Sequence, residues 1–122
     1  MESGALGKLY RDGEFIFHQG DAGDCMYVIQ AGQVEIVQER DGKQVRLAVR
    51  GEGDFFGEMA IFEREVRSAT ARALGDVRVL TLDKMTFLRR VHEDPSLAYQ
   101  ILQKMSSRIR ELSAEVVRLK GE

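Results

Sequence analysis

The sequence predicts a mainly β fold followed by two C-terminal helices, and three observations lead to this class. Short apolar or alternating segments recur along the first two-thirds of the chain, and glycine-rich turns separate them. After residue 83 the pattern changes to helical spacing. The length of 122 residues suits one domain. We therefore expect a single domain with a β-roll over about residues 10–83 and helices over about residues 84–120.

Six segments of the β-rich part have the composition and spacing of strands. Residues 33–38, for example, alternate polar and apolar side chains, as a half-buried strand does. Turn signals separate the segments at Ala31-Gly32, at Asp41-Gly42, which is a hairpin signal, and at Gly75-Asp76. The predicted strands are Glu14–Gln19, Met26–Gln30, Gln33–Gln38, Gln44–Val49, Ser68–Leu74 and Val77–Leu82. Many short strands at regular spacing are typical of a small sandwich or barrel.

Two helices are expected after the strands. Asp83 can cap the first, which covers residues 84–91. Asp94-Pro95 begins the second, with aspartate at the cap and proline at the first helical position, and it runs to about Lys120. Its apolar residues recur at steps of three and four, which is the heptad seam of a coiled coil. The seam consists of Leu102, Met105, Ile109, Leu112, Val116 and Leu119.

The heptad seam has two alternative partners. It packs against the chain's own β-domain, or it pairs with a second copy of the chain. A helix of about 25 residues spans roughly 37 Å, so its last two turns should project beyond so small a domain. We therefore favour a parallel homodimer through the helix at residues 95–120, although about two and a half heptads are marginal alone.

The composition narrows the class of protein. Hydrophobic residues make up 43% and charged residues 31%, which suits a real core and a soluble surface. A net charge of −2 gives no support for a partner that is nucleic acid or an anionic membrane. The sequence has neither an apolar run of about 18 residues nor an early apolar core of signal-peptide type. We therefore expect a cytoplasmic protein that binds neither membranes nor nucleic acid directly.

The cysteine and histidine content bears on metal sites and catalysis. Cys25 is the single cysteine, and His18 and His92 are the two histidines. An intrachain disulfide is therefore excluded, and no ligand spacing suggests a metal site. A phosphodiesterase or a cupin-like metal enzyme would need clustered histidines or another activated group. We expect no catalytic residue, no metal and no cofactor.

The segment FGEMAIFEREVRSATARA, residues 56–73, carries the most informative chemistry. Arg67 lies among small and β-branched residues, so on an inward-facing strand it is partly buried and needs an anionic partner. That partner is either Glu58, in a structural ion pair, or an external anion. Residues 56–62 look like a tight turn that opens a single helical turn, whose amide groups bind anions. A guanidinium facing those amides suits one phosphate, and Glu58 would then accept a hydrogen bond from a sugar hydroxyl.

The same segment closely resembles the phosphate-binding cassette of the cyclic nucleotide-binding domain family. The family pattern FGE-[LM]-A-[LI], a short loop and R-[AST]-A-[TS] is matched by residues 56–61 and 67–70. FIFHQGDAGDCMYVIQAGQVEI, residues 15–36, is similar to the family's strand–GD–G–strand–G stretch, and the C-terminal helices fit as well. The resemblance implies a jelly-roll-like double-stranded β-helix. It also implies a non-enzymatic sensor of cAMP or cGMP whose helices move when the ligand binds and pass the signal to a partner or effector domain.

The resemblance implies roles for individual residues of the cassette. Glu58 would accept a hydrogen bond from the ribose 2′-hydroxyl, and Arg67 would bind the cyclic phosphate. Gly57, Met59 and Ala60 would form a backbone cradle whose amides point toward phosphate and sugar. The cassette would therefore hold both halves of the ribose phosphate.

Further positions follow from the same resemblance. Ser68 would contact the phosphate, or the base when guanine is syn, and Ala69 would let the ligand approach the strand closely. Ser113 on the long helix either contacts the base or is an exposed helix serine. The complete set of expected ligand-binding residues is Phe56, Gly57, Glu58, Met59, Ala60, Arg67, Ser68, Ala69 and Ser113.

The cassette departs from the family pattern in the loop before Arg67. The family often has glycine and proline where this chain has Arg64 and Val66, and Glu63 and Glu65 add carboxylates near the phosphate site. A structural or dimerisation module with a degenerate ligand site is therefore the alternative function. Regulators of the family usually carry a helix-turn-helix domain after the long helix; this sequence ends at Glu122 and leaves open whether a DNA-binding domain, a kinase or a channel follows in a longer protein. The sequence leaves cAMP, cGMP and a cyclic dinucleotide open as ligands.

Overall fold

A computed structural model describes residues 7–63 and 66–121. Short strands surround two long ones, and helices follow. The strands are β1 (Lys8–Tyr10), β2 (Phe15–Phe17), β3 (Cys25–Arg40), β4 (Lys43–Arg50), β5 (Phe55–Phe56) and β6 (Thr70–Asp83). The helices are α1 (Met59–Phe62), α2 (Lys84–Glu93) and α3 (Ser96–Lys120). The prediction of a mainly β fold with C-terminal helices is confirmed.

The strands pair in one antiparallel sheet. β6 and β3 are neighbours at its centre, with β1 beside β6 and β4 beside β3. β2 also pairs with β6, and β5 pairs with β3. Within the described residues the ladder runs from β1 to β4 and does not join these two strands. The sheet is therefore open, and the jelly-roll-like expectation is confirmed without closure into a complete barrel.

The two long strands continue through positions where the sequence predicts turns. The predicted turns at Ala31-Gly32 and Gly75-Asp76 are wrong, because β3 continues through the first site and β6 continues through the second. The ladder between the strands shifts register there. Both glycines have positive φ, and a Cβ on Gly32 would overlap the carbonyl oxygen of Asp76. These glycines therefore permit a bulge and a close backbone approach, while each strand keeps the same partner.

The predicted hairpin at Asp41-Gly42 is confirmed. It joins β3 to β4, and the flanking residues Arg40 and Lys43 pair directly. The φ angles are 55° at Asp41 and 79° at Gly42, which is the left-handed pair that a type I′ turn requires. Because the loop has two residues, it sets the register of β4 against β3.

The boundaries of the short elements differ from the prediction. β1 and β5 are too short to show a periodicity in the sequence, and neither is predicted. Both predicted helices and the single turn of α1 are present. Pro95 occupies the N-cap of α3 instead of its first helical position. Asp94 still accepts hydrogen bonds from the amide of Ser96 at 3.2 Å and from its hydroxyl at 2.6 Å.

The core of the β-rich part is formed by aliphatic residues of β3 and β6 and by aromatic residues of β3 and β5. Two alanines of β6, Ala71 and Ala73, are fully buried, which lets neighbouring elements approach this strand closely. Burying these apolar side chains supplies most of the stabilisation of the sheet. The buried cluster consists of Tyr27, Ile29, Val34, Phe56, Ala71, Ala73, Val77 and Val79.

The chain divides into two compact units, one up to Lys84 and one from Met85. The first contains the sheet and α1, and the second contains α3 and most of α2. Across the described part of the chain, no helix combines the length and the apolar character needed to cross a bilayer. The expectation of a single domain stays a prediction.

Candidate functional site

The segment that connects β5 to β6 forms a sharp bend around Gly57. Gly57 follows β5 with φ 76°, and the single turn of α1 comes directly after Glu58. A Cβ on Gly57 would lie 2.9 Å from Nη1 of Arg67 and 3.3 Å from ring carbons of Phe17 and Tyr27. Only glycine combines this φ with so close an approach, so the bend depends on it.

Arg67 is buried at the inner side of this bend, with 6% of its surface exposed. Its Nη1 donates to the carbonyl oxygen of Gly57 at 2.8 Å, and its Nη2 donates to the carbonyl oxygen of Cys25 at 2.8 Å. Its Nε has no hydrogen-bond partner in the described part of the chain. Within residues 7–63 and 66–121, no carboxylate forms an ion pair with it. The pair with Glu58, one of the two partners considered from the sequence, is therefore not formed.

Aromatic rings support the buried guanidinium. Its Cζ lies 4.2 Å from the centroid of the Phe17 ring and 5.7 Å from that of Tyr27. Phe56 stacks on Tyr27 with ring centroids 5.1 Å apart. The negative faces of such rings stabilise a cation without neutralising its charge. Burial raises the pKa of Tyr27, so its hydroxyl stays protonated at neutral pH.

The loop between β2 and β3 is fastened to Arg67 by backbone hydrogen bonds. The amide of Gly20 donates to the carbonyl oxygen of Arg67 at 2.7 Å, and the amide of Arg67 donates to that of Asp21 at 2.8 Å. A Cβ on Gly23 would overlap Nε and Cζ of the guanidinium. The loop thus lies directly against the unpartnered side of Arg67, and Gly23 allows it to do so.

The other expected residues of the cassette gather at the same bend. Glu58 is half-buried at the N-cap of α1, without a side-chain capping bond. Met59 is exposed, while Ala60 is buried and its amide lies 3.4 Å from the carbonyl oxygen of Gly57. A shallow cavity of about 370 Å³ borders this place. It is lined by Gly23, Asp24, Ala60, Ile61 and Lys84.

The residues that follow Arg67 lead into β6. Ser68 is exposed, and its carbonyl oxygen accepts a hydrogen bond from the side chain of Gln38 at 3.0 Å. Ala69 is buried, which keeps a small side chain beside the site. Ser113 lies on α3, in the other compact unit, and is exposed. Its contact with a base stays a prediction.

The loop before Arg67 contains the departures from the family pattern, and the structure describes part of it. Arg64 and Glu65 lie outside the described residues. Val66 is exposed, as is Glu63 at the end of α1. The hydrogen bonds and ring contacts of the guanidinium within the described residues involve neither Glu63 nor Val66.

A second buried charge, Glu35 on β3, is missed by the sequence analysis. Its carboxylate accepts hydrogen bonds from Arg46 of β4 at 2.6 and 2.9 Å and from Arg72 of β6 at 2.7 and 3.2 Å. These bonds, first those from Arg46, hold the pKa of Glu35 below its ordinary value. The alternating pattern of β3 suggests an outward-facing Glu35, and only the register of three strands brings the arginines to it.

The residues around Arg67 are also missed by sequence reasoning. Phe17, Gly23, Cys25 and Tyr27 all belong to a segment whose overall pattern matches the family, yet no pattern indicates which of them touch the guanidinium. These residues lie on β2, on the loop that follows it and at the start of β3, and all of them contact Arg67. Cys25, for example, precedes Arg67 by more than forty positions. These contacts depend on the pairing of strands that are distant in sequence, which local patterns do not reveal.

Comparisons with known proteins show to which family the chain is similar. The sequence model of the protein family described as the cyclic nucleotide-binding domain matches residues 8–94. The chain is 34% identical over 110 residues to a cyclic AMP receptor protein of Thermus thermophilus, covering 89% of this chain and 51% of that protein. It is 41% identical over 92 residues to a cGMP-dependent protein kinase of Caenorhabditis elegans, covering 72% of this chain and 12% of the kinase.

The chain belongs to the cyclic nucleotide-binding domain family. A solved structure supports the fold: the catabolite activator protein of Thermus thermophilus matches with a TM-score of 0.82 at 32% identity, over 93% of this chain and 54% of that one. The chain thus spans about half the length of its Thermus relative and a small part of the kinase. The matched region includes the whole bend around Gly57 and Arg67.

Proposed function

We propose that this chain is a regulatory module that binds cAMP or cGMP through the bend around Gly57 and Arg67. The observation that carries the proposal is the state of Arg67: buried, supported by rings and carbonyl oxygens, and without a carboxylate among the described residues. Burying an unpaired charge is costly, and a bound anion offsets that cost. A cyclic phosphate is such an anion.

The chemistry of the site favours a phosphate over other anions. A guanidinium offers a planar fork of donors that matches two phosphate oxygens. Among the described residues no ion pair of Arg67 has to be broken first, so the full charge-assisted interaction contributes to binding. Glu58, half-buried beside Gly57, would accept a hydrogen bond from the ribose 2′-hydroxyl. A carboxylate this close to a phosphate is tolerable when a hydroxyl lies between them.

The names of the relatives support both ligands. The Thermus relative is a cyclic AMP receptor protein, and the nematode relative is a cGMP-dependent kinase. Ser68, which follows Arg67 and is exposed, is compatible with either base. We infer a module that accepts one or both nucleotides, and the binding experiment has to distinguish them.

The binding test is a calorimetric titration of the chain after unfolding and refolding, which removes carried-over ligand. Titration with cAMP and with cGMP should give saturable binding for at least one of them. Linear 5′-AMP and 5′-GMP are the matched controls, because they keep base and ribose but carry a phosphate of different charge and geometry. Folded protein that gives no binding signal with either cyclic nucleotide would contradict the proposal and leave the dimerisation module as the function.

The helices after residue 83 are the proposed output. A ligand changes a helix arrangement only to the extent that it binds one arrangement better than the other. Hydrogen exchange of amides in α2 and α3, with and without saturating nucleotide, measures such a change. Exchange rates that are unaffected by bound ligand would contradict the role of these helices in signalling.

We infer that α3 also forms a homodimer. Five of its heptad positions are exposed, although they carry large apolar side chains: Leu102, Ile109, Leu112, Val116 and Leu119. Such a stripe along a helix of 25 residues is typical of a helix–helix interface. Leu112→Asp should convert a dimer to a monomer in sedimentation equilibrium, whereas the control Ala114→Asp, off the seam, should not. A monomeric unchanged chain at high concentration would contradict the dimer.

A further inference from the structure

The only cysteine of the chain lies beside the proposed phosphate-binding arginine. Cys25 uses its carbonyl oxygen to accept a hydrogen bond from Nη2 of Arg67, and its own Sγ is 3.8 Å from the same nitrogen. The thiol also donates to the hydroxyl oxygen of Tyr27 at 3.5 Å. Cys25 is half-buried and unpaired, so part of its surface remains accessible to a small reagent.

The surroundings of this thiol would attract an oxygen atom on the sulfur. Arg67 is more than nine-tenths buried and forms no ion pair among the described residues, and its Nη2 lies between the carbonyl oxygen and the sulfur of Cys25. A separation of 3.8 Å between Nη2 and Sγ is too long for a strong hydrogen bond. One oxygen added to the sulfur would shorten this gap to ordinary hydrogen-bond distance and give the guanidinium a new acceptor.

We propose that Cys25 is an oxidation site that controls nucleotide binding, with hydrogen peroxide as the oxidant. The Cys25 sulfur attacks one peroxide oxygen, an S–O bond forms and the O–O bond breaks. The thiol proton and the departing hydroxide leave as water. The sulfur is thereby oxidised by two electrons to a sulfenic acid, and peroxide is reduced. The new oxygen accepts a hydrogen bond from Arg67, which is then less available to a phosphate.

Two neighbours would favour the oxidised form. Arg67 donates to the sulfenic oxygen, and Tyr27 can rotate its hydroxyl from acceptor to donor, since burial keeps that hydroxyl protonated. Excess thiol reverses the reaction: two thiols reduce the sulfenic acid to the thiol, and a disulfide of the reagent and water are released. The inference rests on the proposed function, since it concerns the arginine that would hold the cyclic phosphate.

The test compares nucleotide affinity before and after mild peroxide treatment of the refolded, reduced chain. Mass spectrometry of the peptide that contains Cys25, after capture with a sulfenic-acid reagent, measures the modification. Affinity for the better of the two cyclic nucleotides should fall by about tenfold, because one charge-assisted hydrogen bond is redirected. Dithiothreitol should restore it, which separates this effect from oxidation of the five methionines.

Two variants complete the test. Cys25→Ser should have the same nucleotide affinity before and after peroxide treatment. Cys25→Asp, which places a permanent carboxylate beside Arg67, should bind about tenfold more weakly without any oxidant. Circular dichroism of both variants verifies that they are folded.

The outcomes separate this inference from the proposed function. If the reduced chain binds neither cyclic nucleotide, the proposed function is overturned and this inference falls with it. If the reduced chain binds but affinity is unchanged after Cys25 is oxidised, or if Cys25 resists peroxide, this inference alone is overturned. Equal peroxide sensitivity of the unchanged chain and Cys25→Ser would also overturn it.

Discussion

Arg67 and Glu35 are two buried charges in the same β-rich unit, with 6% and 5% of their surfaces exposed. They differ in the groups that bond them. Glu35 is bonded by two arginines from the neighbouring strands. Arg67 is held by carbonyl oxygens and aromatic rings. Within the described residues the charge of Glu35 is satisfied, while Arg67 keeps an unpartnered Nε.

The difference indicates which of the two charges serves stability and which serves binding. A carboxylate with two arginine partners ties three strands together, and removal leaves those arginines without their acceptor. A guanidinium supported by rings and carbonyls is kept in place but stays electrically unpaired, so an incoming anion gains most of the available interaction. The mutations below should therefore affect affinity at one residue and stability at the other.

Arg67→Met should produce the largest effect, on affinity. The change removes the fork of donors but keeps an unbranched apolar stem, and affinity for cyclic nucleotide should fall about a hundredfold, or roughly 3 kcal/mol. Calorimetric titration measures it. The matched control is Arg40→Met in the exposed hairpin, which should bind like the unchanged chain. Equal affinity of the Arg67→Met variant and the control would remove Arg67 from the site.

Glu35→Gln should produce the next largest effect, on stability. Two arginines lose a charged acceptor, so the free energy of unfolding should fall by about 2–3 kcal/mol, less than for a fully buried pair because both arginines are partly exposed. Urea denaturation measures the change. Nucleotide affinity of the folded variant should stay within about twofold. A loss of affinity comparable to that of Arg67→Met would erase the distinction between the two charges.

Gly23→Ala should produce a smaller effect, again on affinity. The new methyl group would overlap Nε and Cζ of Arg67, so the guanidinium has to move, and affinity should fall about tenfold. Gly51→Ala is the matched control, because a Cβ there meets no atom within 4 Å and its φ is not in the left-handed region. The idea fails if the two alanine variants bind equally well.

Lowering the pH should produce the smallest effect, a loss of the stability that comes from Glu35 and its bonds with Arg46 and Arg72. The pKa of Glu35 is lowered in the folded chain from 4.5, chiefly by hydrogen bonds from Arg46 and then from Arg72. Its stabilisation is therefore complete above about pH 4.5 and is lost as the pH falls through the lower folded-state pKa. In urea denaturation at stepped pH, the unchanged chain should lose stability more steeply than Glu35→Gln. Parallel pH profiles would contradict this account.

Much of the fold is readable from local patterns. The Asp41-Gly42 hairpin, the single turn after Glu58 and the long helix all leave signals within a few residues. The expectation at Gly32 and Gly75 is wrong because a glycine with positive φ serves a bulge as well as a turn. Only the continued pairing of both strands distinguishes the two cases, and that pairing is not local.

The candidate site is predicted unevenly for the same reason. Gly57, Glu58 and Arg67 form a linear motif, so the sequence places them together. Cys25 and Phe17 reach Arg67 through strands that are far apart in sequence, and nothing in their own segments marks the contact. The sequence therefore predicts the ligand class better than the surroundings of the arginine.

The long pairing of β3 with β6 has a consequence for how the chain folds. Cys25 pairs with Asp83 at one end of this ladder and Val37 with Thr70 at the other, so most of the sheet closes across the whole intervening chain. Loop-closure entropy is lost before these contacts are gained, and domains dominated by such pairings fold in about milliseconds to seconds. The hairpin between β3 and β4 can form first, because its pairing is local. Until β6 arrives, β3 presents an unpaired edge on one side, which makes the nascent chain most prone to aggregation in that interval.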